Sequence, residues 1–471
     1  MEQRPRRKSK QIDFLSELAD HIFHKIISLL NIDDVARVST LSKRCRKNCL
    51  SSPFLTLSLE KIYNDKFFYR FCLFLQRFLY LRNGIDIHTF KVKIYSHFFY
   101  DDIGFHIGDW VLEASRLHVK KICLNLINFN IFTLPSGVLN SACLRDLEVC
   151  LGLNGLRAHL FIWGLQNLKL VALRVSLKFD EWISSCKSLK KLCLDVVSVQ
   201  NGLNISSSSL EDLILEDIVS SARDFNIKVS ARRLKNLRIF CPPDFKHEAL
   251  DNGIIGKVLR SMHRVSSMSI HDCSIKGISS QALLPEFYDL HSLTIIGTDF
   301  GNKTPSIASL LNSMPHLNTL KIQETHNGLF EGHFMSFSTS SQEKICYTAE
   351  YWESQNLKFV HSLKELEVEI NGEQNEIELI KYLLKNAKAM KTISIHYSRY
   401  ACSVPRRLSE ISRKIQQFEI ASSSVTIYFF YRDELSSWNG RNFCKWWGIS
   451  CESNAGAVIA VNPHNPYPQN F

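Results

Sequence analysis

LKKLCL (Leu189–Leu194), LEDLIL (Leu210–Leu215) and LKNLRI (Leu234–Ile239) repeat one pattern, L-x-x-L-x-L, at intervals of 21 and 24 residues. Upstream the same pattern is met as VKKICL from Val119, LRDLEV from Leu144 and LKLVAL from Leu168. Downstream it returns as VSSMSI from Val265, LHSLTI from Leu290, LNTLKI from Leu317, LKELEV from Leu363 and MKTISI from Met390, which makes eleven copies in order. The last two apolar positions of each copy stand two residues apart, the period of a strand with one buried face. No single copy can bury that face alone, but parallel stacking of neighbours gives a continuous apolar spine. Segments such as Glu181–Cys186 then return the chain on the convex side of a curved sheet.

The spacing, mostly 21 to 31 residues with one gap of 46, falls in or near the range of leucine-rich repeats. The residue between the two inner leucines, and the one two further on, point to the opposite face. Those positions include Glu148, Arg174, Asp195, Glu216, Arg238, Phe240, His271 and Lys321, which are the candidate target-binding residues. Their chemistry is mixed, as suits recognition of a protein.

Ahead of the repeats, FLSELADHIFHKIISLLNIDDVARVSTLSKRCR (Phe14–Arg46) contains three short helical signals. Ile22, Phe23, Ile26, Ile27, Leu29 and Leu30 fall on one wide helical face that Asp20 is placed to cap, and Asn31 is placed to end. Asp33 or Asp34 starts a second helix carrying Val35 and Val38, and Ser42 caps a third. Helices this short cannot bury all their apolar side chains against one another, so a partner is expected to take the surplus.

The spacing of Leu18, Asp20, Ile26, Leu29-Leu30, Asp34, Val35 and Leu41-Ser42-Lys43-Arg44 resembles the F-box, in the form found in plant F-box/leucine-rich-repeat proteins with a C-terminal FBD region. Two positions depart from the family: Ala19 stands where it usually has Pro, and Cys45 where it usually has Trp. Both changes predict weaker docking in the same mode. Asp65–Phe71 with Phe78–Arg82 resembles the linker after the F-box, and Gly108–Ser115 with Thr133–Pro135 the lead-in to the family's repeats. Glu376–Ala387 resembles the FBD helix, and its apolar Ile377, Ile380, Leu383 and Leu384 suit an end cap.

The resemblance implies an α/β chain: a three-helix F-box, a leucine-rich-repeat solenoid built on a curved parallel sheet, and a helical FBD-like cap. The expected segments are a basic tail (1–12), the F-box (13–60), a helical linker (61–100), the solenoid (101–350), FBD-like repeats (351–431) and a tail (432–471). It also implies the substrate-recognition subunit of a cullin-based, SCF-type ubiquitin ligase. A Skp-type adaptor would bind through Leu18, Ala19, Ile22, Ile26, Leu29, Leu30, Val35, Val38 and Leu41, and an unknown target through the solenoid. A scaffold that never meets a cullin, or a degenerate F-box copy, is the alternative.

Composition agrees with this. Hydrophobic residues at 45% and charged ones at 22% describe a globular protein rather than a disordered one. The most apolar run, Phe67 to Leu81, is broken by Arg70 and Arg77, so no membrane span is expected. Fourteen Cys without a C-x-x-C pair, and 17 His at no zinc spacing, predict reduced thiols, no metal and no cofactor, in the nucleus or cytoplasm. The net charge of +11 includes +4 in residues 1–60, from eleven Lys/Arg against seven Asp/Glu. The run Arg4–Lys10 has the composition of an import signal, but no zinc finger or recognition-helix pair accompanies it, so no nucleic-acid partner is expected. No nucleophile–base constellation or phosphate-binding Gly loop stands out, which predicts a non-catalytic protein.

Two segments sit outside this plan. The long gap after Thr325 holds GLFEGHFMSFSTSSQEK (328–344), a loop that is functional or disordered. In the tail, Leu435–Gly440, Cys444–Cys451 and Gly456–Ile459 resemble the N-terminal cap of extracellular plant leucine-rich-repeat receptors. That resemblance implies a Cys444–Cys451 disulfide, which a reducing compartment would not sustain. The expectation is a join that adds no function.

Overall fold

The computed structural model describes residues 17–59, 65–95 except 83, 101–175 except 128–130, 140 and 158–163, 179–240 except 200, 201 and 221–225, 258–275 except 261 and 263, 284–323 except 298 and 299, 345–397, 405–432 and 446–449. The basic run Arg4–Lys10, the 328–344 loop and Cys444 and Cys451 lie outside them. The chain divides into two compact units, residues 1–200 with 218–220, and residues 201–217 with 221–471.

The described strands are β1 Phe54–Leu59, β2 Thr89–Tyr95, β3 Lys121–Ile127, β4 Ile131–Thr133, β5 Asp146–Arg157, β6 Asn167–Arg174, β7 Lys191–Val199, β8 Leu203–Ser206, β9 Asp212–Glu216, β10 Val219–Ser220, β11 Ile227–Ser230, β12 Asn236–Phe240, β13 Ser267–His271, β14 Ser292–Ile296, β15 Thr319–Gln323, β16 Glu365–Ile370, β17 Thr392–Tyr397, β18 Thr426–Arg432 and β19 Trp446–Ile449. The helices are α1 Asp20–Ile27, α2 Ile32–Leu41, α3 Lys43–Ser51, α4 Asp65–Leu81, α5 Asp101–Arg116, α6 Ser136–Leu139, α7 Phe179–Ser185, α8 Asp272–Ile275, α9 Phe300–Asn312, α10 Ala349–Ser354, α11 Gln374–Asn386 and α12 Pro405–Gln416.

In the first unit β1, β2, β3, β5, β6 and β7 pair in that order, all parallel. In the second, β9, β12, β13, β14, β15, β16, β17 and β18 do the same, and β19 pairs antiparallel with β18. The repeat explains the stacking. Its two x residues both donate their backbone N–H to one carbonyl of the preceding repeat: Lys120 and Lys121 to His88 O, Arg145 and Asp146 to Lys120 O, Asn318 and Thr319 to His291 O, Lys391 and Thr392 to Lys364 O. The two inner apolar residues fall on the buried face. In the first unit these are Leu55 and Leu57, Phe90 and Val92, Ile122 and Leu124, Leu147 and Val149, Leu168 and Leu170, Leu192 and Leu194, none more than 3% exposed. Each such side chain is worth about 1.5–3 kcal/mol of burial relative to exposure.

Three expectations change. The sheet begins at Phe54, well before residue 101, because Ile87-His-Thr-Phe90-Lys-Val92 is itself a repeat with Phe in place of Leu, stitched by His88 and Thr89 to Pro53 O. The copy placed at Leu168 belongs three residues earlier, as Leu165-Gln-Asn-Leu168-Lys-Leu170. Gln166 and Asn167 make the stitching bonds to Arg145 O, and Leu168 stands level with Leu192. Leucines on both sides of the pattern disguised the register. Finally, α11 is no end cap: β17 and β18 follow it, and Ile377, Leu379, Ile380, Tyr382, Leu383 and Leu384 are all buried, on more than one side of the helix.

Candidate binding surfaces

At the N-terminus α1 and α2 both pack on α3. Phe23 and Ile27 of α1, Ile32 and Val35 of α2, and Cys45 and Cys49 of α3 are at most 4% exposed and form a small core by their i, i+3 and i, i+4 spacing. Ser42 caps α3 as expected, its Oγ accepting from Cys45 N at 3.0 Å. Asp20 does not cap α1: the N-cap position is Ala19, and the Asp20 carboxylate instead accepts from Asn48 Nδ2 at 2.9 Å and Arg44 Nη2 at 3.1 Å. Those two bonds hold its pKa below the usual carboxylate range, the Asn48 bond foremost. Asn31 precedes α2 rather than ending α1, which stops at Ile27.

The expected single apolar face of α1 is therefore two faces. Phe23 and Ile27 point into the core, while Ile22 (40% exposed), Ile26 (39%) and Leu29 (79%) run at i, i+4, i+7 along the outside. Leu41, at the end of α2, is 66% exposed. Ala19 is exposed, and Leu18, Leu30 and Val38 are half-buried. Val35 is core, at 4% exposure, and presents nothing to a partner. Cys45 is also core, at 1%, so its effect on docking runs through packing under α1 and α2.

The second surface is the polar face of the strands. Glu148 on β5 pairs with Lys169 on β6 at 3.5 Å, Glu216 on β9 with Arg238 on β12 at 2.7 Å, and Lys321 on β15 with Glu367 on β16 at 2.5 Å. Asp195 stands level with Val171 and half-buried. Arg174 is exposed but off the row, because Ala172 takes a left-handed φ of 48° and resets the alternation; the residues in register are Lys169 and Val171. Val196, level with it on β7, has φ 52°.

Phe240 and His271 are not surface contacts: they are 8% and 6% exposed and meet edge to face, ring centroids 4.6 Å apart. Asp272 opens α8 beside them, its carboxylate 3.0 Å from His271 Nδ1 and 2.8 Å from Lys303 Nζ. Gly297, at φ 116°, leaves the room that carboxylate fills, since a Cβ there would stand 2.4 Å from Asp272 Cγ. Among thiols on the polar face, Cys123 is pushed up to about 11 by burial, with Glu148 adding to it, which is the reverse of an activated nucleophile.

Sequence reasoning passed over two buried ionisable side chains. Arg82, after α4, is 0% exposed and donates from Nη2 to the carbonyls of Ser52 at 2.8 Å and Asp86 at 3.1 Å. Glu376, in the first turn of α11, is 2% exposed, and its Oε2 accepts from the backbone N–H of Asn371, Gly372 and Glu373 at 3.0, 2.9 and 2.9 Å. The capping box with Glu373 was the available signal for the second.

Comparison with known proteins places one stretch of the chain and gives relatives over most of its length. The model of the FBD family matches residues 357–395, which span β16, α11 and the start of β17. An F-box/FBD/LRR-repeat protein of Arabidopsis thaliana is 23% identical over 88% of this chain and 96% of its own length. Another is 24% identical over 83% and 94%, and an FBD-associated F-box protein of the same plant is 23% identical over 83% and 92%. Over most of its length the chain is thus similar to the plant F-box/FBD/LRR-repeat proteins.

Proposed function

We propose that this chain is the substrate-recognition subunit of a cullin-based, SCF-type ubiquitin ligase. The observation that carries the reading is the exposed stripe Ile22, Ile26 and Leu29 on a subdomain whose own core is already filled by Phe23, Ile27, Ile32 and Val35. Two large apolar side chains on one face of α1, continued by Leu29 in the turn after it, suit a partner surface. The names of the relatives, which couple an F-box to FBD and repeat regions, support a Skp-type adaptor as that partner. The strand face then holds the target protein, and the ligase works by placement, raising the effective concentration of a target lysine beside a charged conjugating enzyme. The chain itself is a non-catalytic adaptor. Nucleus or cytoplasm is the matching location, and no described helix is long and apolar enough to cross a membrane.

The test is co-purification of the full chain with a plant Skp-type adaptor, native against Ile26→Asp with Leu29→Asp. Both sites are exposed, so the fold should survive while capture is lost. No capture of the native chain at micromolar concentration would favour the alternative of a scaffold or degenerate copy, for which Ala19 and Cys45 are the motivating positions.

A further inference from the structure

The polar face of β1, β2 and β3 carries nine side chains in register: Phe54, Thr56 and Ser58; Thr89, Lys91 and Lys93; Lys121, Cys123 and Asn125. Three are lysines and none is a carboxylate; the first carboxylates on this face stand on β5, Asp146 level with Lys121 and Glu148 level with Cys123, so Lys91 and Lys93 are the lysines farthest from an acidic neighbour. Lys91 and Lys93 are exposed and Lys121 is half-buried. Among the described residues none of the three has an ion pair, whereas two strands further along Lys169 pairs with Glu148 at 3.5 Å. Alternate residues on one strand stand about 7 Å apart and adjacent strands about 5 Å. Three like charges held at those distances repel one another, and removing that repulsion is work an anion can do.

The second unit reverses the sign. Its polar face carries Asp212, Glu216, Glu365, Glu367 and Glu369 against Arg238 and Lys321, so the basic cluster is local and not a property of the repeat.

We propose that β1–β3 bind an extended acidic segment of the target protein, with carboxylates at alternate positions matched to Lys91 and Lys93 and a further one to Lys121. The inference rests on the reading of this face as the target-binding surface. An extended chain lying along the strands repeats at the same pitch as the lysines, so each carboxylate meets one ammonium, and Thr56, Ser58, Thr89 and Asn125 supply hydrogen bonds between them.

The experiment is fluorescence polarisation with the full chain and a labelled alternating Glu-Ser peptide of about twelve residues, beside Gln-Ser and Lys-Ser peptides of equal length, at about 50 and about 300 mM salt. The Glu-Ser peptide should bind selectively and weaken with salt. Each Lys→Gln change at 91, 93 or 121 should cost about two- to fivefold, and Lys91→Glu with Lys93→Glu should cost tenfold or more. Arg232→Glu with Arg233→Glu makes the same charge change on exposed residues elsewhere and should leave binding intact. Equal loss in that control, no preference for Glu-Ser, or tighter binding of a single-stranded RNA oligonucleotide through the same lysines would overturn the proposal. Unchanged thermal unfolding of the Lys→Gln variants ties any loss to the surface. Adaptor capture is read separately at α1, so a chain that holds the adaptor but not the peptide sinks only this inference.

Discussion

Arg82 in the first unit and Glu376 in the second are mirror images. One is a buried cation that gathers backbone carbonyls, including that of Ser52 just past the end of α3; the other is a buried carboxyl group whose Oε2 gathers three N–H groups just ahead of α11. Buried backbone groups at such junctions need partners, and a side chain of complementary hydrogen-bonding sense supplies them. A repeat protein meets this problem at every turn and mostly solves it by the stitching bonds between neighbouring strands. At two connections between helix and strand the stitch is present, at Pro53 O and Lys364 O, and an ionisable side chain takes up neighbouring backbone groups that it leaves over. Arg82 joins the three-helix subdomain to the turn before β2, and Glu376 the exit of β16 to α11.

The comparison breaks most visibly at Arg82. Burial lowers its pKa only to about 10, so it stays charged at neutral pH, and its Nε and Nη1 have no hydrogen-bond partner among the described residues. Arg82→Met keeps the bulk and removes the donors, leaving buried carbonyls unpaired. The expected loss is about 2–4 kcal/mol in denaturant unfolding, and hydrogen exchange should rise first at residues 51–59 and 84–89. A loss under about 1 kcal/mol would mean the carbonyls find other partners.

Glu376 sharpens the comparison through pH. Desolvation raises its pKa to about 8, outweighing the three N–H bonds that favour the carboxylate. An acid whose folded pKa lies above its unfolded value of 4.5 binds more protons folded than unfolded between those limits. Stability from this group is full below about pH 4.5, then falls as pH rises towards 8, by up to about 1.4 kcal/mol per pH unit. Glu376→Gln keeps an acceptor for the N–H groups and should flatten that slope in pH-resolved unfolding; an unchanged slope would place the titration elsewhere.

Much of this architecture was legible. The L-x-x-L-x-L pattern names most of the parallel strands, since a buried spine leaves a period of two that nothing else in the chain imitates. It fails where Phe replaces Leu, as at Phe90, and where leucines flank the pattern, as at Leu165 to Leu173, because composition then allows two registers and only the carbonyl of Arg145 decides between them. The two faces of α1 were not legible either. Ile22 and Phe23 are equally apolar, and what divides them is α3, brought close by a bond between Asp20 and Asn48 that no periodicity announces. Arg82 reads in the sequence as a solvated charge that ends an apolar helix. Its burial goes with the carbonyl of Ser52, thirty residues earlier, which is tertiary information.

Ser42 supplies the scale for an uncharged cap. Its single bond to Cys45 N, half-exposed, should be worth about 1 kcal/mol, below the buried Arg82. Ser42→Ala should lower unfolding stability by that amount and loosen α3 beneath the α1 stripe, weakening adaptor capture in the same proportion.

At the far end of the range stands the surface pair Arg238–Glu216, 2.7 Å apart with side chains 46% and 21% exposed. Water already solvates the guanidinium, and holding two long side chains in one geometry costs entropy that the attraction barely exceeds. Arg238→Gln should therefore change stability by less than about 1 kcal/mol and should do so less at high salt. If it instead matched Arg82→Met, burial would not be what separates a charge that holds the fold from one that decorates it. The polar face of these strands would then have to be counted as part of the scaffold, not as a surface whose residues are at liberty to serve recognition.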